Sequence, residues 1–459
     1  MSVAALARET GRRLQEAERL NATLHWSQAL LDAEAARLDG LADGPLSGMT
    51  VALKDNIVTT DQPTTCASRI LDGYLSPFEA TAVTRLRAAG ALIAAKTNLD
   101  EFAMGSSTEH SAFGRVLHPL DPDLVPGGSS GGSAALVAAG VTPAALGSET
   151  GGSVRQPAAF CGIVGVKPGY GRVSRFGLVA FGSSLDCISV FGATVRDAER
   201  VLETISGHDP LDATTHPGGS LVAAPARQDL RGVVIGLPRE YFPADLHPGV
   251  RAACERTIAI LRQLGAEVRD VSLPSTSHAV PAYYIVNPAE AAANLARYDG
   301  VRFGNRRVGP EADLRALYRS TRGDGFGAEV KRRILVGTFV LSAGYAERYY
   351  ARAQAARRLI VDDFARVFDA GIDFLFTPTT PTPAFRAGEK LSDPVAMYLA
   401  DIFVCPASLA GLPALSLPIG RDGGLPLGGQ VMAPDGGDAD MLAVAAVIEG
   451  AVDATGEVR

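Results

Sequence analysis

The sequence predicts an α/β fold in which helices flank a central β-sheet. Short apolar runs typical of buried strands alternate with helical stretches, and glycines stand at the joins between them. The clearest unit is residues 231–273, where VVIGL, a helix at about 248–264 and EVRDVSL read as strand, helix and strand. The chain has 459 residues and no stretch with the composition of a flexible linker. We therefore expect one large domain.

The other predicted elements follow in order along the chain. An amphipathic helix, broken near Asn21, covers residues 1 to about 40 and should pack on the domain. The remaining predictions are a strand at 49–53, a helix at 79–89, a strand at 91–96, a small-residue helix at 133–140, a helical block at 311–369, and strands at 374–378 and 415–420. The last two strands are apolar, and we expect both in the same sheet.

Composition narrows the class of protein. The net charge is -7, so a nucleic acid would need a local patch or a partner to bind. The five cysteines are scattered and form no CxxC pair, which argues against a disulfide framework or a zinc site and favours a reducing cytoplasm. The N-terminus is a poor signal peptide, and the most apolar stretch, 134–147, is too short to span a bilayer. We expect a cytoplasmic protein without a membrane anchor.

Three short stretches carry the chemistry: VALKDN (51–56), PGGSSGGSAA (126–135) and GSETGGSVRQPAAFCGIVGVKP (147–168). Glycines beside serines allow close backbone approach and leave amide N–H groups free to converge on an anion. The amides of Thr150, Gly151 and Gly152 could form such an oxyanion hole beside the hydroxyl of Ser153. Pro157 is a residue type that begins helices, and a helix there would add positive potential.

A serine nucleophile needs a base. None of the seven histidines lies in a recognisable nucleophile context, and there is no GxSxG elbow. Lys54, at the end of an apolar strand, is the better candidate because burial can make a lysine neutral. Either Ser129 or Ser130 could relay its proton to Ser153. Taken singly, GGS is usually a turn and a strand-terminal lysine is usually a surface charge, so the combination carries the inference.

Together these stretches resemble the amidase signature family of serine amidohydrolases, from Lys54 through about Asp197. The resemblance implies that Lys54 is the base, that Ser129 is the bridging serine with a cis peptide bond, and that Ser153 is the acyl-forming nucleophile. It implies no metal and no cofactor in this chain. It also implies one amidase-signature domain over residues 1–459, built on a central mixed β-sheet flanked by helices. That domain would have a helical segment at 1–45, the signature core at 46–205, and the rest of the sheet and the substrate pocket at 206–459.

Further blocks resemble the glutaminase (A-type) subunits of glutamyl-/aspartyl-tRNA amidotransferases within that family. The blocks are KTNLDEFAMGSSTEHSAFG (96–114), KPGYGRVSRFGLVAFGSSLD (167–186), AEAAANLARYDGVRFG (289–304), GFGAEVKRRILVGTFVLSAGY (325–345) and DPVAMYLADIFVCPASLAGLPALSLPIG (393–420). The resemblance implies hydrolysis of glutamine. The ammonia would pass to a B subunit, which uses ATP and magnesium to convert Glu-tRNA(Gln), Asp-tRNA(Asn) or both. A C subunit would complete a heterotrimer, and the mischarged tRNA would bind mainly through the B subunit.

The same resemblance implies a glutamine pocket formed by Tyr284, Arg333 and Asp401. An arginine fork suits the substrate carboxylate, and a carboxylate suits the substrate ammonium. Glu149 stands where the family usually has Asp, and we expect it to form a structural ion pair with Arg155. The segments KPGYGR and SSLDCISV, and a histidine at position 110, depart from the usual pattern without touching the expected catalytic positions.

Two other functions compete with this one. A stand-alone amidase acting on aryl or alkyl amides would have no need of the blocks at ARYDG and EVKRR. A non-catalytic scaffold that kept only the fold would have no need of Lys54, Ser129 and Ser153 together. The sequence therefore favours the glutaminase subunit.

Overall fold

The architecture is an eleven-stranded mixed β-sheet between layers of helices. The computed structural model describes residues 2–40, 43–306, 308–309 and 313–456. The strands are β1 (Thr23–His25), β2 (Thr50–Lys54), β3 (Leu92–Thr97), β4 (Ala144–Glu149), β5 (Val164–Lys167), β6 (Cys187–Gly192), β7 (Val234–Pro238), β8 (Glu267–Val271), β9 (Phe374–Pro378), β10 (Ala414–Asp422) and β11 (Leu425–Met432). Their order across the sheet is β1-β3-β2-β4-β6-β5-β10-β11-β9-β7-β8.

Helices of varied length surround this sheet. They are α1 (Val3–Glu16), α2 (Gln28–Leu38), α3 (Thr81–Ala88), α4 (Gly131–Ala138), α5 (Arg155–Cys161), α6 (Val195–Ile205), α7 (Pro248–Gln263), α8 (Ala279–Asn294), α9 (Leu314–Gly325), α10 (Ala328–Val340), α11 (Ala351–Asp369), α12 (Pro394–Leu399), α13 (Cys405–Leu409) and α14 (Asp438–Asp453). A π-helical turn, Ala346–Tyr350, precedes α11. None of the described helices is long and apolar enough to cross a membrane.

Strand pairing explains why most of the strands read as unbroken apolar runs. β2 is parallel to β3 and β4, whereas β6 is antiparallel to β4 and β5. β10 and β11 form an antiparallel pair next to β9, and β7 is parallel to both β9 and β8. Every residue of β2, β3, β4, β5, β6 and β9 is buried, because helices cover the sheet. The predicted α/β fold with a flanked mixed sheet is confirmed.

The N-terminal segment differs in one respect from its prediction. The expected helix is broken at Asn21, which has a φ of 51°, but the short strand β1 follows before α2 begins. A three-residue strand is too short for its side-chain period to show in the sequence. β1 pairs with β3 at the edge of the sheet. Apolar residues of α1 and α2 pack with those of α4 in one buried cluster, so the N-terminal helices lie on the domain as predicted.

The five cysteines are all free thiols and all buried in the interior. Cys187 lies on a strand, Cys161, Cys254 and Cys405 lie on helices, and Cys66 lies in a loop. None of the five is paired with another, which agrees with the absence of a disulfide pattern in the sequence.

Candidate active site

Lys54 ends β2 and points its ammonium into the interior. The side chain is completely buried, and Nζ donates to Ser129 Oγ at 2.7 Å, to Ser130 Oγ at 2.8 Å and to the Ser148 carbonyl at 3.2 Å. Burial lowers the pKa of Lys54 to about 7, against the opposing effect of nearby carboxylates, chiefly Asp100. Since burial penalises the charged form, a large part of the Lys54 population is neutral near pH 7.

The two candidate relay serines both contact this lysine. Ser129 and Ser130 lie immediately before α4, and the peptide bond between Gly128 and Ser129 is cis, at the position that the resemblance implies. The backbone N–H of Ser130 donates to the carbonyl of Ser153 at 3.2 Å. This bond holds the loop of Ser129 against the segment that carries Ser153.

Ser153 lies in the turn between β4 and α5, and only 7% of its surface is exposed. Glu149, the last residue of β4, accepts the backbone N–H groups of Val154 at 3.0 Å and Arg155 at 3.1 Å. The carboxylate thereby closes the turn and sets where Ser153 stands. The helix begins at Arg155, two residues earlier than a start at Pro157 would give.

Arg155 holds this turn in place through several hydrogen bonds. Its fully buried guanidinium forms an ion pair with Glu149 and also donates to the carbonyls of Gly151 and Val404 and to Ser408 Oγ. Burial opposes ionisation of Glu149, but the charge of Arg155 and its hydrogen bonds hold the pKa of that carboxyl below its usual value. The ion pair expected from the sequence is present. It joins the turn between β4 and α5 that carries Ser153, called the serine turn below, to the segment before β10.

The backbone amides expected to form an oxyanion hole are unengaged. Within the described part of the chain, the N–H groups of Thr150, Gly151 and Gly152 donate to no protein acceptor. A Cβ on Gly151 would lie 2.8 Å from the ring of Tyr283, and one on Gly152 would lie 2.2 Å from Val404. Only glycine fits at these two positions, and free amides of this kind are what a developing oxyanion requires.

Tyr284 and Arg333 meet beside this turn. The Arg333 guanidinium lies 5.4 Å from the ring centroid of Tyr284 and 5.9 Å from that of Tyr398, and those two tyrosine rings are stacked with centroids 3.5 Å apart. Arg333 Nε donates to Glu329 Oε1 at 2.7 Å, one turn earlier on α10. Aromatic rings and one carboxylate therefore hold a buried cation in a fixed position.

Asp401 is the third residue of the predicted glutamine pocket. Its Oδ2 accepts from Ser106 Oγ at 2.5 Å, while Oδ1 is buried and has no hydrogen-bond partner among the described residues. A Cβ on Gly152 would lie 3.3 Å from that free oxygen, so the carboxylate faces the serine turn. Burial raises the pKa of Asp401 to about 7, against the lowering effects of Ser106 and of the Arg333 charge. The site thus places a buried cation and a buried carboxylate beside a serine, a lysine and free amides.

Comparison with known proteins identifies the fold and its relatives. The family model described as Amidase matches residues 5–442. The chain belongs to the amidase family. The A subunit of the glutamyl-tRNA(Gln) amidotransferase of Carboxydothermus hydrogenoformans is 53% identical over 423 residues, which cover 91% of this chain and 86% of that protein.

Solved amidase structures agree. The A subunit of the glutamyl-tRNA(Gln) amidotransferase of Thermotoga maritima superimposes with a TM-score of 0.79 at 43% identity, covering 98% of this chain and 91% of that one. A 6-aminohexanoate cyclic dimer hydrolase solved with its substrate superimposes with a TM-score of 0.82 at 27% identity, covering 98% of this chain and 94% of that one. This amidase is therefore similar both to proteins of amidotransferases and to hydrolases of other amides.

Several residues of the site were not singled out from the sequence. Tyr283 Oη is 2.7 Å from Thr150 Oγ1 and accepts from Asn287 Nδ2 at 2.7 Å, so α8 supports the serine turn as well as the pocket. Ser106 orients Asp401, and Glu329 orients Arg333. The spacing of Glu329 and Arg333, four residues apart on a helix, was the one signal that the sequence offered. Nothing local in the sequence identifies Tyr283 or Ser106.

Proposed function

We propose that this amidase is the glutamine-hydrolysing component of a tRNA-dependent amidotransferase. It would release ammonia for the conversion of Glu-tRNA(Gln), Asp-tRNA(Asn) or both into the correctly amidated tRNA. The observation that carries the proposal is the pair of buried groups beside the serine turn, Arg333 and Asp401, which match the carboxylate and the ammonium of a free amino acid. The similarity to proteins named for this reaction supports the same conclusion.

The proposed reaction begins with Lys54 in its neutral form. Lys54 accepts a proton from Ser129, which accepts the proton of Ser153 as the Ser153 oxygen attacks the side-chain carboxamide of glutamine. Negative charge then develops on the former carbonyl oxygen, and the amides of Thr150, Gly151 and Gly152 donate to it. The proton returns along the same path to the leaving nitrogen, so that ammonia departs and a glutamyl ester remains on Ser153. Water attacks that ester by the same route and releases glutamate.

The pocket residues bind the part of glutamine that does not react. Arg333 pairs with the α-carboxylate and Asp401 with the α-ammonium, while Tyr284 packs along the aliphatic part between them. Asp401 must be ionised to bind an ammonium, and its raised pKa means that the incoming positive charge helps to ionise it. A simple alkyl amide would leave the unbonded Oδ1 of Asp401 without a partner and would make no use of the charge of Arg333. We therefore expect the pocket to select a free amino acid.

The remaining steps belong to partners. We propose that a B subunit uses ATP and magnesium to activate the mischarged tRNA and supplies most of the tRNA contacts, and that a C subunit completes a cytoplasmic heterotrimer. This chain itself needs no cofactor for the proposed chemistry. Its net charge of -7 provides little general attraction for a polyphosphate.

A stand-alone amidase is the second candidate. The observation in its favour is the likeness to 6-aminohexanoate cyclic dimer hydrolase, which covers nearly all of both chains. The two candidates differ in substrate. A stand-alone enzyme would hydrolyse small neutral amides in preference to glutamine and would do so without partners.

The nucleophile is tested with Ser153→Ala. We expect this variant to lose glutamine hydrolysis while its circular dichroism spectrum stays unchanged, and to support transamidation when ammonium salts replace glutamine. Ser133→Ala is the matched control. Ser133 is also a buried serine that follows two glycines, but it bonds Thr97 and the Leu146 carbonyl rather than Lys54, so its variant should keep its activity.

Covalent labelling adds an independent measurement. An electrophilic glutamine analogue should attach to the peptide that contains Ser153, as read by mass spectrometry. Attachment to Cys161 or Cys187 would overturn the serine mechanism, and burial raises the pKa of both thiols, which disfavours their thiolates. Glutamine turnover by Ser153→Ala at the wild-type rate would overturn it as well.

A further inference from the structure

Asp100 lies directly behind the bridging serine. It follows β3 and is completely buried. Its Oδ2 accepts the backbone N–H of Thr108 at 2.8 Å, and its Oδ1 accepts that of His110 at 3.1 Å. Its own backbone N–H donates to the Ser129 carbonyl at 3.2 Å. One residue therefore ties the turn at 105–110 to the loop that presents Ser129.

Two glycines fix the position of this carboxylate. A Cβ on Gly105 would lie 2.3 Å from Asp100 Cγ, and a Cβ on Gly128 would lie 2.3 Å from Asp100 Oδ2. Backbone therefore packs against the carboxylate at two points where a side chain would otherwise stand. Because it cannot swing away, the negative charge of Asp100 stays at one distance from Lys54.

This charge has no cation of its own. No lysine, arginine or histidine side chain among the described residues forms an ion pair with Asp100, whose acceptors are engaged by backbone N–H groups. The other acidic groups that act on Lys54 are Asp186, Glu149 and the thiol of Cys66. The charge of Glu149 is offset by Arg155, burial raises the pKa of Asp186 to about 7, and burial raises the pKa of Cys66 well above its usual value. Asp100 is thus the uncompensated anion near the base.

The same turn reaches the substrate pocket. Ser106 Oγ donates to Asp401, and the carbonyl of Ser106 accepts from Gln156 Nε2 at 2.8 Å. Gln156 Oε1 in turn accepts the backbone N–H of Gly128 at 3.0 Å. The turn that Asp100 holds therefore links the pocket carboxylate to the serine loop.

We infer that Asp100 is a positioning residue of this site: it holds the turn that connects Ser129 to Asp401, and its fixed negative charge stabilises the ammonium form of Lys54. The inference rests on the proposed function in taking Lys54 as the base. An anion held there makes Lys54 a stronger base than burial alone would leave it. The bridging serine and the base are thereby controlled by the same residue.

Asp100→Asn tests the inference because the side chain keeps its size and loses its charge. Glu101→Gln is the matched control, since Glu101 is the next residue and is also buried, but its carboxylate bonds Ser68 and the N–H of Gly327 rather than the serine loop. The pH dependence of kcat/KM for glutamine is measured for the wild type and both variants, each as the full chain with the co-expressed B and C subunits.

We expect the acid limb of the Asp100→Asn profile to move to lower pH by about one unit, as removal of one nearby buried anion predicts. The plateau should fall roughly tenfold, because an amide cannot accept both backbone N–H groups and the turn loosens. The Glu101→Gln limb should stay in place. A purely structural role would lower the plateau of kcat/KM without moving the acid limb along the pH axis. An acid limb of Asp100→Asn that stays in place or moves to higher pH would overturn the inference.

A direct titration separates this inference from the proposed function. The chain has only five lysines, so the protein labelled with 13C at the lysine ε carbon gives few signals, and Lys54→Met assigns the one that belongs to Lys54. Its titration should move to lower pH in Asp100→Asn whether or not glutamine is the substrate. Asp100→Ser, a smaller neutral residue, provides the same measurement if the Asn variant does not fold. Failure of the wild type to hydrolyse glutamine would refute the proposed function alone, whereas an unmoved Lys54 titration would refute this inference alone.

Discussion

Lys54→Met should make the protein inactive and more stable at neutral pH. Burial lowers the pKa of Lys54 from 10.5 to about 7. At 1.36 kcal/mol per pH unit, the full penalty for keeping this lysine buried and charged is about 5 kcal/mol. About 4 kcal/mol of it applies at pH 7, because half of the folded population is already neutral there. Methionine fills nearly the same volume without that penalty. It also loses the hydrogen bonds to Ser129 and Ser130, worth about 1–2 kcal/mol, so the expected net gain is about 2–3 kcal/mol.

The pH dependence of this gain is the sharper measurement. The folded pKa lies below the unfolded one, so between pH 7 and 10.5 the unfolded chain binds a proton that the folded chain lacks. The stability of the wild type therefore rises with pH in that window, and that of Lys54→Met lacks this contribution. The difference between them should shrink by about 3 kcal/mol from pH 7 to about pH 9.5. Equilibrium urea unfolding followed by far-ultraviolet circular dichroism at several pH values measures it.

Lys96→Met provides the control. Lys96 is as completely buried as Lys54, but its Nζ lies 2.9 Å from Asp55 Oδ1 and donates to Thr64 Oγ1 at 2.9 Å. Its removal leaves a buried carboxylate without its cation and should destabilise the protein by about 3–5 kcal/mol. If Lys54→Met also destabilised the protein, and the loss did not change with pH, Lys54 would be charged in the folded state and the neutral-base mechanism would be wrong.

Three further predictions concern the pocket and the partners. The KM of the wild type for glutamine should fall as pH rises through about 7, because Asp401 ionises there. Steady-state kinetics on Asp401→Asn should show a KM that is raised about a hundredfold and does not change with pH in this way. A wild-type KM that does not depend on pH would contradict this prediction. Arg333→Lys should raise the same KM by about 10- to 100-fold while the fold is kept, since a cation still faces Glu329; an unchanged KM would remove Arg333 from the pocket. The isolated chain should bind mischarged tRNA weakly in filter-binding assays and should hydrolyse glutamine faster once B and C subunits are added; tight binding or full turnover without partners would favour the stand-alone amidase.

The local pattern of apolar residues and glycines in the sequence predicted many strands of the sheet. The unit at 231–273 appears as β7, α7 and β8, and the apolar runs FLFTP and LSLPIG lie in β9 and β10 of one sheet. Their clear boundaries made them readable, because glycines and prolines mark where each ends. β4 was not predicted because its sequence, AALGSE, ends in a glycine, a serine and a glutamate and so forms no continuous apolar run. The helical block at 311–369 divides into α9, α10, a π-helical turn and α11, and its residues 311–312 lie outside the described part of the chain.

The residues of the candidate site also differ in how far the sequence alone could predict them. The chemistry of Lys54, the serine loops and the free amides followed from residue types and glycine spacing. The pocket did not, because Asp401 approaches Gly152 across 249 positions of sequence, and only the family resemblance pointed to it. Whether Ser129 or Ser130 relays the proton was open from the residues alone, and the structure puts both hydroxyls on Lys54. The assignment of Ser129 to the relay therefore stays a prediction.

Because all five thiols are buried, the reactivity of the natural cysteines can be used to measure local unfolding of this protein. A thiol reagent can reach Cys66, Cys161, Cys187, Cys254 or Cys405 only when the surrounding structure separates. The rate at which each cysteine is modified then measures the free energy of local or global opening at five places spread over the molecule. Cys161, on the helix that follows Ser153, would report on the active-site turn, and Cys254, on α7, would report on another helix that packs against β10 and β11. Slower modification of Cys161 in the presence of a bound substrate analogue would show how far ligand binding tightens the serine turn.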